Sequence, residues 1–298
     1  MNLINLRIFF WFLFSLIFFY FSSLIGFFSS SVLNDKKKIN PNSTSKLQPL
    51  PDTTFKIAWK NSSLEVHCKK AKGKYFQGTI LVLPGWNHSV LRWCTEMEFC
   101  EKATAAGFQV VMPDMRKSTY TKKYFKESRQ DMVDSPLLTW LTDTVILQLQ
   151  KKHTAFQISG DNYVIGLSTG ARGAVLVAME CPKIFKKGVA FSGDYDNSQL
   201  SYDKVMNIFY GPYSKFKDRW LAEANPAGNL KKLRTPFYFI HGKNDKVVFY
   251  SHSVNFYKML VKSDSTLSHR LKILEGQGHT YTFWNSQVAQ AIDFFSKP

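Results

Sequence analysis

Ser168 is the residue whose surroundings most clearly predict chemistry. It lies at the centre of a Gly-x-Ser-x-Gly sequence between Gly166 and Gly170, after an apolar run rich in β-branched residues and before a run of small residues. This arrangement is typical of a serine held on a tight turn between a strand and a helix, with its hydroxyl exposed. The glycines allow close backbone approach, and a helix N-terminus favours negative charge near the hydroxyl. The pattern therefore predicts a nucleophilic serine.

An acid and a base follow Ser168 in the order that such a nucleophile needs. Asp245 comes directly after an apolar strand-like segment, and so does His279. Because loops at the carboxyl ends of parallel strands share one edge of a sheet, the three side chains can converge there. Asp194 and Asp196 end the preceding strand-like segment and are alternatives to Asp245 as the acid.

Each candidate has a distinct chemical role in acyl transfer. His279 would take the proton of the Ser168 hydroxyl, which is a poor nucleophile without a base. Asp245 would hold the imidazole in the useful tautomer and stabilise the imidazolium. The oxyanion needs two donors, for which we expect the backbone N–H groups of Thr169 and Trp86. The sequence shows neither metal-ligand spacing nor a cofactor motif, so no metal or cofactor is expected.

The elements that must position these residues alternate between strands and helices. Buried strands are predicted at 79–83, 108–112, 163–167, 188–191, 237–240 and 271–274, a hairpin or edge strand at 55–66, and helices at about 90–106, 135–152 and 284–295. Apolar strands separated by helices predict an α/β fold with a mostly parallel, doubly wound sheet. Residues 197–234 leave room for a small lid, whose aromatic side chains either line an acyl pocket or pack on the domain.

The first residues form a separate segment. Residues 8–28 are uncharged and strongly apolar, which is about the length that crosses a bilayer as a helix. We therefore expect a transmembrane anchor or a signal sequence at 1–33, a flexible linker at 34–52 and the folded domain at 53–298. The domain is expected to be exported on a membrane anchor, or secreted if the segment is cleaved.

The chain is strongly basic, with a formal net charge of +17. One interpretation is attraction to anionic lipid or another polyanion, and the other is a solvated lysine-rich surface. Nucleic acid is not an expected partner, because no nucleic-acid-binding motif accompanies the charge.

The four cysteines predict mainly buried free thiols. If Cys94 and Cys100 share the helix expected at 90–106, their Cα atoms would lie about 9 Å apart, beyond disulfide reach. One disulfide elsewhere is possible if the domain is exported, and Cys68 and Cys181 complete the set.

Four sequence motifs resemble those of α/β-hydrolases. The resemblance is narrower to the esterase D-like group, which includes tributyrin esterases and S-formylglutathione hydrolases, and it covers residues 75–297. The motifs are Leu83-Pro84-Gly85-Trp86 with Trp93, Gly166 to Gly170 with Arg172-Gly173-Ala174, Phe191-Ser192-Gly193 with Tyr195-Asp196, and Gly278-His279 with Phe283-Trp284. Pro84-Gly85-Trp86 replaces the His-Gly that usually precedes the oxyanion donor.

The resemblance implies a serine esterase that cleaves small-molecule acyl esters or thioesters through an acyl-serine intermediate without a cofactor. The implied triad is Ser168, Asp245 and His279. Two further functions use the same framework. One is a peptidase, thioesterase or acyltransferase with the same triad, and the other is a noncatalytic binding protein of this fold.

Overall fold

An eight-stranded sheet organises the protein. The computed structural model describes residues 47–297. The strands are β1 (Thr53–Trp59), β2 (Ser62–Lys69), β3 (Gly78–Leu83), β4 (Phe108–Pro113), β5 (Asn162–Leu167), β6 (Lys187–Phe191), β7 (Phe237–Gly242) and β8 (Arg270–Leu274). Their spatial order is β1-β2-β4-β3-β5-β6-β7-β8. β1 and β2 form an antiparallel hairpin at one edge, β2 pairs antiparallel with β4, and the remaining pairs are parallel.

Helices connect the strands. They are α1 (Arg92–Thr95), α2 (Phe99–Ala105), α3 (Leu137–Trp140), α4 (Leu147–Lys152), α5 (Thr169–Glu180), α6 (Lys204–Tyr210), α7 (Tyr213–Ala222), α8 (Ser251–Ser263), α9 (Tyr281–Ser286) and α10 (Val288–Ser296). A π-helical stretch, Leu141–Ile146, joins α3 to α4. The segment between β6 and β7 contains α6 and α7, the two short helices of the predicted small lid.

Both faces of the sheet are covered, because alternate residues of the buried strands point to opposite sides. Leu81 and Val164 pack in one core with α5 and α8, whereas Val82 and Ile165 pack in the other with α2 and α10. This burial on both sides explains why the central strands are buried along their whole length and mostly apolar. The six predicted buried strands are confirmed to within two residues at each end, and so is the mostly parallel, doubly wound sheet. The hairpin predicted at 55–66 is also present and extends from Thr53 to Lys69.

The helix expected at 90–106 was wrong, and so was the separation of its cysteines. The chain leaves the helical path between Thr95 and Phe99, which brings the rings of Trp93 and Phe99 to 5.0 Å between centroids. Positions six apart on one helix face different directions, so burying both rings in the same core requires the break. As a consequence Cys94 and Cys100 have Cα atoms 5.0 Å apart and form a disulfide. Cys68 and Cys181 are free.

The closing helix also differs from the prediction, since it begins earlier and is interrupted at Gln287 between α9 and α10. The anchor or signal segment predicted at 1–33 lies outside the described residues, as does most of the linker. Within residues 47–297, no helix combines the length and apolarity that a membrane crossing requires.

Candidate active site

Ser168 occupies the sharp turn between β5 and α5. Its φ of +55° is in the left-handed region that L-residues rarely adopt, which is the strain typical of a nucleophile turn. A Cβ at Gly166 would lie 1.9 Å from the Gly170 carbonyl oxygen, so only glycine lets the strand and the helix approach this closely. The turn leaves Ser168 only partly buried, above the carboxyl end of the sheet.

The loops after β7 and β8 bring the predicted base and acid to this serine. His279 Nε2 lies 3.0 Å from Ser168 Oγ, and His279 Nδ1 lies 2.6 Å from Asp245 Oδ2. Because the carboxylate can only accept, His279 Nδ1 carries the hydrogen of this bond, which leaves Nε2 free to accept from the serine hydroxyl. The three residues therefore form one continuous chain of hydrogen bonds.

Asp245 is buried and is held as an anion. Burial raises the pKa of its carboxyl, but hydrogen bonds from His241 and His279 outweigh that effect and hold the pKa well below its usual value. The other carboxylate oxygen, Oδ1, accepts the backbone N–H groups of Val247 at 2.8 Å and Val248 at 2.9 Å. With both oxygens satisfied, the charge is kept available to an imidazolium at His279.

The predicted oxyanion donors lie on two segments in direct contact. A Cβ at Gly170 would lie 2.4 Å from the carbonyl oxygens of both Leu83 and Pro84, and a Cβ at Gly85 would lie 3.2 Å from Ser168 Cβ. The loop that carries Trp86 is therefore packed against the serine turn. Among residues 47–297, no group accepts a hydrogen bond from the backbone N–H of Trp86 or Thr169. Both donors remain available to a ligand.

The two alternative acids have other partners. Asp194 is buried and forms an ion pair with the guanidinium of Arg172, which projects from α5. Asp196 accepts the backbone N–H of Ser198 at 2.9 Å, at the start of a short 3₁₀ helix. Within the described chain, His279 hydrogen-bonds to the carboxylate of Asp245 and to neither alternative.

Two further histidines contact the site. His241, at the end of β7, has Nε2 3.3 Å from Asp245 Oδ2, and it was not among the residues predicted from the sequence. His88, which follows the Trp86 loop, has Nδ1 2.9 Å from the hydroxyl of Tyr281 in α9. Burial lowers the pKa of His88, helped by the nearby Arg92 and His279, so the neutral ring is favoured. The sequence pattern does not distinguish His241 from a packing histidine of an apolar strand.

Apolar side chains from the lid segment form a wall beside the Trp86 loop. The half-buried Trp86 ring meets Phe209 edge-on at 5.6 Å between centroids, and both belong to a cluster with Met132, Met206 and Trp220. Among the aromatic side chains of this segment, Phe209, Tyr210 and Trp220 are buried, whereas Tyr202 is 97% exposed. The three buried aromatics thus pack on the domain, and Phe209 contacts Trp86 beside the site.

Residues 47–297 contain no group of three or more His, Cys, Asp or Glu side chains placed to hold a metal ion.

The fold and the geometry of Ser168, His279 and Asp245 define the class of the protein as a serine hydrolase of the α/β-hydrolase fold.

The particular family follows from the sequence of the same region. Residues 96–297 match the prolyl oligopeptidase family, Peptidase_S9. The chain belongs to this family.

Solved structures with the same fold come from several kinds of serine hydrolase. Staphylococcus aureus fluorophosphonate-binding serine hydrolase F matches with a TM-score of 0.64 and 15% identity, over 84% of this chain and 100% of its own. An S-formylglutathione hydrolase from Agrobacterium tumefaciens matches with a TM-score of 0.66 and 15% identity, over 82% of this chain and 93% of its own. Acylaminoacyl peptidase from Pyrococcus horikoshii matches with a TM-score of 0.56 and 14% identity, over 85% of this chain but 42% of its own.

These similarities confirm the predicted α/β-hydrolase fold. The group that the sequence motifs resemble, which contains S-formylglutathione hydrolases, is represented among the structural matches. At such low identities the likeness concerns the fold, and the chemistry of this chain has to be argued from its own residues.

Proposed function

We propose that the protein is a serine esterase that cleaves small-molecule acyl esters or thioesters through an acyl-Ser168 intermediate. The observation that carries this proposal is the continuous hydrogen-bonded chain from Ser168 through His279 to Asp245. A strained serine turn and two unoccupied backbone donors beside it support the same chemistry.

The geometry supports the following first half of the reaction. Ser168 Oγ attacks the acyl carbon while His279 Nε2, 3.0 Å away, takes the hydroxyl proton. The buried Asp245 carboxylate stabilises the imidazolium so formed. The carbonyl oxygen becomes an oxyanion, which the Thr169 and Trp86 N–H groups would bind. His279 then gives its proton to the leaving alcohol or thiol.

In the second half of the reaction, water takes the place of Ser168 as the nucleophile and His279 again acts as base and acid. His279 removes a proton from water, which attacks the acyl carbon, and returns the proton to Ser168 Oγ as the bond to the acyl group breaks. The half-buried ring of Trp86, packed against the buried Phe209, offers an apolar surface to the acyl chain. It favours short or medium aliphatic acyl groups over charged ones.

Turnover of p-nitrophenyl acetate and butyrate by the full chain and by Ser168→Ala tests the assignment. We expect the substitution to remove turnover and to abolish stoichiometric labelling by a fluorophosphonate probe. Unchanged turnover in Ser168→Ala would refute the proposal. Absence of both turnover and labelling in the unmodified chain would favour a noncatalytic binding protein.

A serine peptidase is the second candidate, favoured by membership of the prolyl oligopeptidase family. The same triad can attack an amide, so the difference must appear in the substrates accepted. Blocked amino-acid p-nitroanilides compared with p-nitrophenyl esters of the same acyl group would separate the two. Anilide turnover that disappears in Ser168→Ala would favour the peptidase.

We also propose that residues 1–33 attach the exported domain to a membrane through the linker at 34–52. The apolar run at 8–28 motivates this proposal, and the Cys94–Cys100 disulfide supports it, because disulfides persist in oxidising compartments. Carbonate extraction and protease accessibility of membranes from expressing cells test it. Release of the chain into the carbonate supernatant would contradict attachment.

A further inference from the structure

The edge of the sheet opposite Ser168 is lined by lysines. Lys69 ends β2, and the loop from Lys69 to Phe76 leads into β3. Strand register aligns the starts of the parallel strands along this edge, with Gly78 opposite Phe108, Thr79 opposite Asn162, and Tyr163 opposite Lys187. The segments that precede the parallel strands therefore share one side of the molecule, whereas the catalytic loops follow the strands on the other side.

Basic residues recur in these segments, which we call the amino edge. Those exposed and without an ion pair in the part of the chain that the structure describes are Lys69, Lys70, Lys72, Lys74, Lys151, Lys152, Lys183, Lys231, Lys232 and Lys262. Two acids of the same edge are already neutralised, Asp161 by Lys186 and Asp264 by Arg234. A third, Asp52, accepts the backbone N–H of Lys70 at 2.7 Å and offsets one of the ten positive charges. The amino edge therefore carries a large uncompensated positive charge.

Exposed apolar side chains accompany the lysines. Tyr75 is 66% exposed and Phe76 59% exposed, directly after Lys74, and Ile158 is 63% exposed in the loop before β5. Next to them is a cavity of about 680 Å³ whose lining includes Leu50, Phe76, Lys70 and Lys74. Aromatic rings and lysines side by side are suited to the boundary between lipid headgroups and acyl chains.

The described chain also begins at this edge. Gln48 pairs with His153, which follows Lys151 and Lys152, and Leu50 lines the cavity. The apolar sequence at 8–28 thus precedes, in the chain, a surface that is itself basic and aromatic.

We propose that the amino edge is a docking surface for an anionic lipid bilayer. Phosphate headgroups would contact the unpaired lysines, and Tyr75, Phe76 and Ile158 would enter the interfacial layer. The charge complementarity and the exposed aromatics favour a bilayer over a soluble polyanion, which would make no use of the apolar side chains. Docked in this way, the protein directs Ser168 away from the bilayer, toward substrates in the aqueous phase.

Lysine labelling of the full chain in lipid nanodiscs tests this orientation. Acetylation rates read by mass spectrometry would be compared between neutral discs and discs containing phosphatidylglycerol. Attraction to an anionic surface favours the headgroup-bound state of a nearby lysine about fivefold. Because a bound amine is shielded from the reagent, we expect Lys70, Lys72 and Lys74 to be labelled about fivefold or more slowly in the anionic discs. Lys215 and Lys217, in α7 on the catalytic side, provide the internal control and should not change.

Two matched variants remove four positive charges each. In Lys69→Ser, Lys70→Ser, Lys72→Ser, Lys74→Ser, the protection of Lys151 and Lys231 should be lost. In Lys117→Ser, Lys126→Ser, Lys215→Ser, Lys217→Ser it should remain. High salt should abolish the protection, because it screens the attraction. Equal thermal unfolding midpoints establish that both variants are folded.

Three results would overturn the proposal. One is equal labelling of the amino edge in neutral and anionic discs. Another is equal protection of Lys215 and Lys217, which would show attraction without orientation. The third is protection by DNA in solution but not by anionic discs, which would assign the edge to a nucleic acid.

Discussion

His241 Nε2 lies 3.3 Å from Asp245 Oδ2, the carboxylate oxygen that also binds His279. The same Nε2 lies 2.9 Å from the Val248 carbonyl oxygen, and Nδ1 lies 2.8 Å from Ser253 Oγ. Since a carbonyl oxygen only accepts, Nε2 carries the hydrogen and Nδ1 accepts from the serine. Asp245 is thereby held from two sides by histidines in different surroundings, His279 beside Ser168 and His241 buried in the core.

Replacing His241 by Phe should lower kcat while leaving KM nearly unchanged. The substitution keeps a buried ring but removes a hydrogen bond to the carboxylate, worth about 1.5 kcal/mol or more, so we expect about a tenfold loss. Steady-state kinetics on p-nitrophenyl butyrate measure it. Ser253→Ala, which removes only the outer hydrogen bond, should have a smaller effect. An increase in KM alone would argue against a positioning role for His241.

Asp245→Asn should lower the activity of the protein, whereas Asp194→Asn should lower its stability. Asp245→Asn should reduce kcat by about 10⁴ with a folded protein, because the imidazole loses its orienting anion. Asp194→Asn leaves the buried Arg172 without its carboxylate, so we expect it to destabilise the protein by about 3–5 kcal/mol. Paired kinetic and denaturation measurements distinguish them. A folded Asp194→Asn variant with kcat reduced as much as Asp245→Asn would move the acid's role to Asp194.

Gly170→Ala should lower kcat more than it raises KM, because it disturbs the oxyanion site. The added Cβ would lie 2.4 Å from the Leu83 and Pro84 carbonyl oxygens, so the Trp86 loop must move away from Ser168. Loss of one oxyanion donor costs about 10² to 10³ in kcat. Gly278→Ala is the control, since its Cβ would lie 3.9 Å from the nearest atom, the Asn244 carbonyl oxygen. Equal activity of the two variants would show that the loop does not contribute to catalysis.

The predictable part of the fold was the part set by periodicity. Central strands such as β5 are buried throughout and mostly apolar because both faces are covered, and the strand ends then determine where Ser168, Asp245 and His279 meet. The break between α1 and α2 was not predictable, because residues 90–106 are compatible with one helix. It results from tertiary packing, in which Trp93 and Phe99 share one core.

The candidate site also has a part that the sequence predicts and a part that depends on three-dimensional packing. Candidate acids could be enumerated from the sequence, but the choice among them depends on partners distant in the chain. Asp194 meets Arg172 on the helix after Ser168, and only three-dimensional packing brings them together. His241 was missed because a histidine inside an apolar strand is indistinguishable by pattern from a packing residue.

Removing the Cys94–Cys100 disulfide should destabilise the protein by about 2 kcal/mol, as expected for a short closed loop. The effect should appear both in Cys94→Ser, Cys100→Ser and in the unmodified protein under reducing conditions, as a lower thermal midpoint. Cys68→Ser provides a control that leaves the bridge intact. Titration of four free thiols in the unreduced, denatured protein would contradict the bridge.

Acid should destabilise the protein partly through His269. Burial lowers the pKa of His269 from 6.5 to about 4, and its Nδ1 accepts the Phe237 backbone N–H at 3.1 Å, at the start of β7. Between these two pH values the unfolded chain binds more protons at this residue than the folded one, so stability falls as the pH drops from about 6.5 to about 4. The contribution of this residue is about 3 kcal/mol at most.

The substitution His269→Asn isolates that contribution. The amide oxygen of Asn can accept the Phe237 N–H in place of Nδ1, but it does not titrate. Urea unfolding at pH 7 and pH 4.5 should therefore show a smaller loss of stability in the variant than in the unmodified protein. Because other groups that titrate in this range are common to both chains, the difference reports on His269. If the free energy of unfolding changes equally with pH in the variant and in the unmodified protein, His269 is protonated equally in the folded and unfolded states.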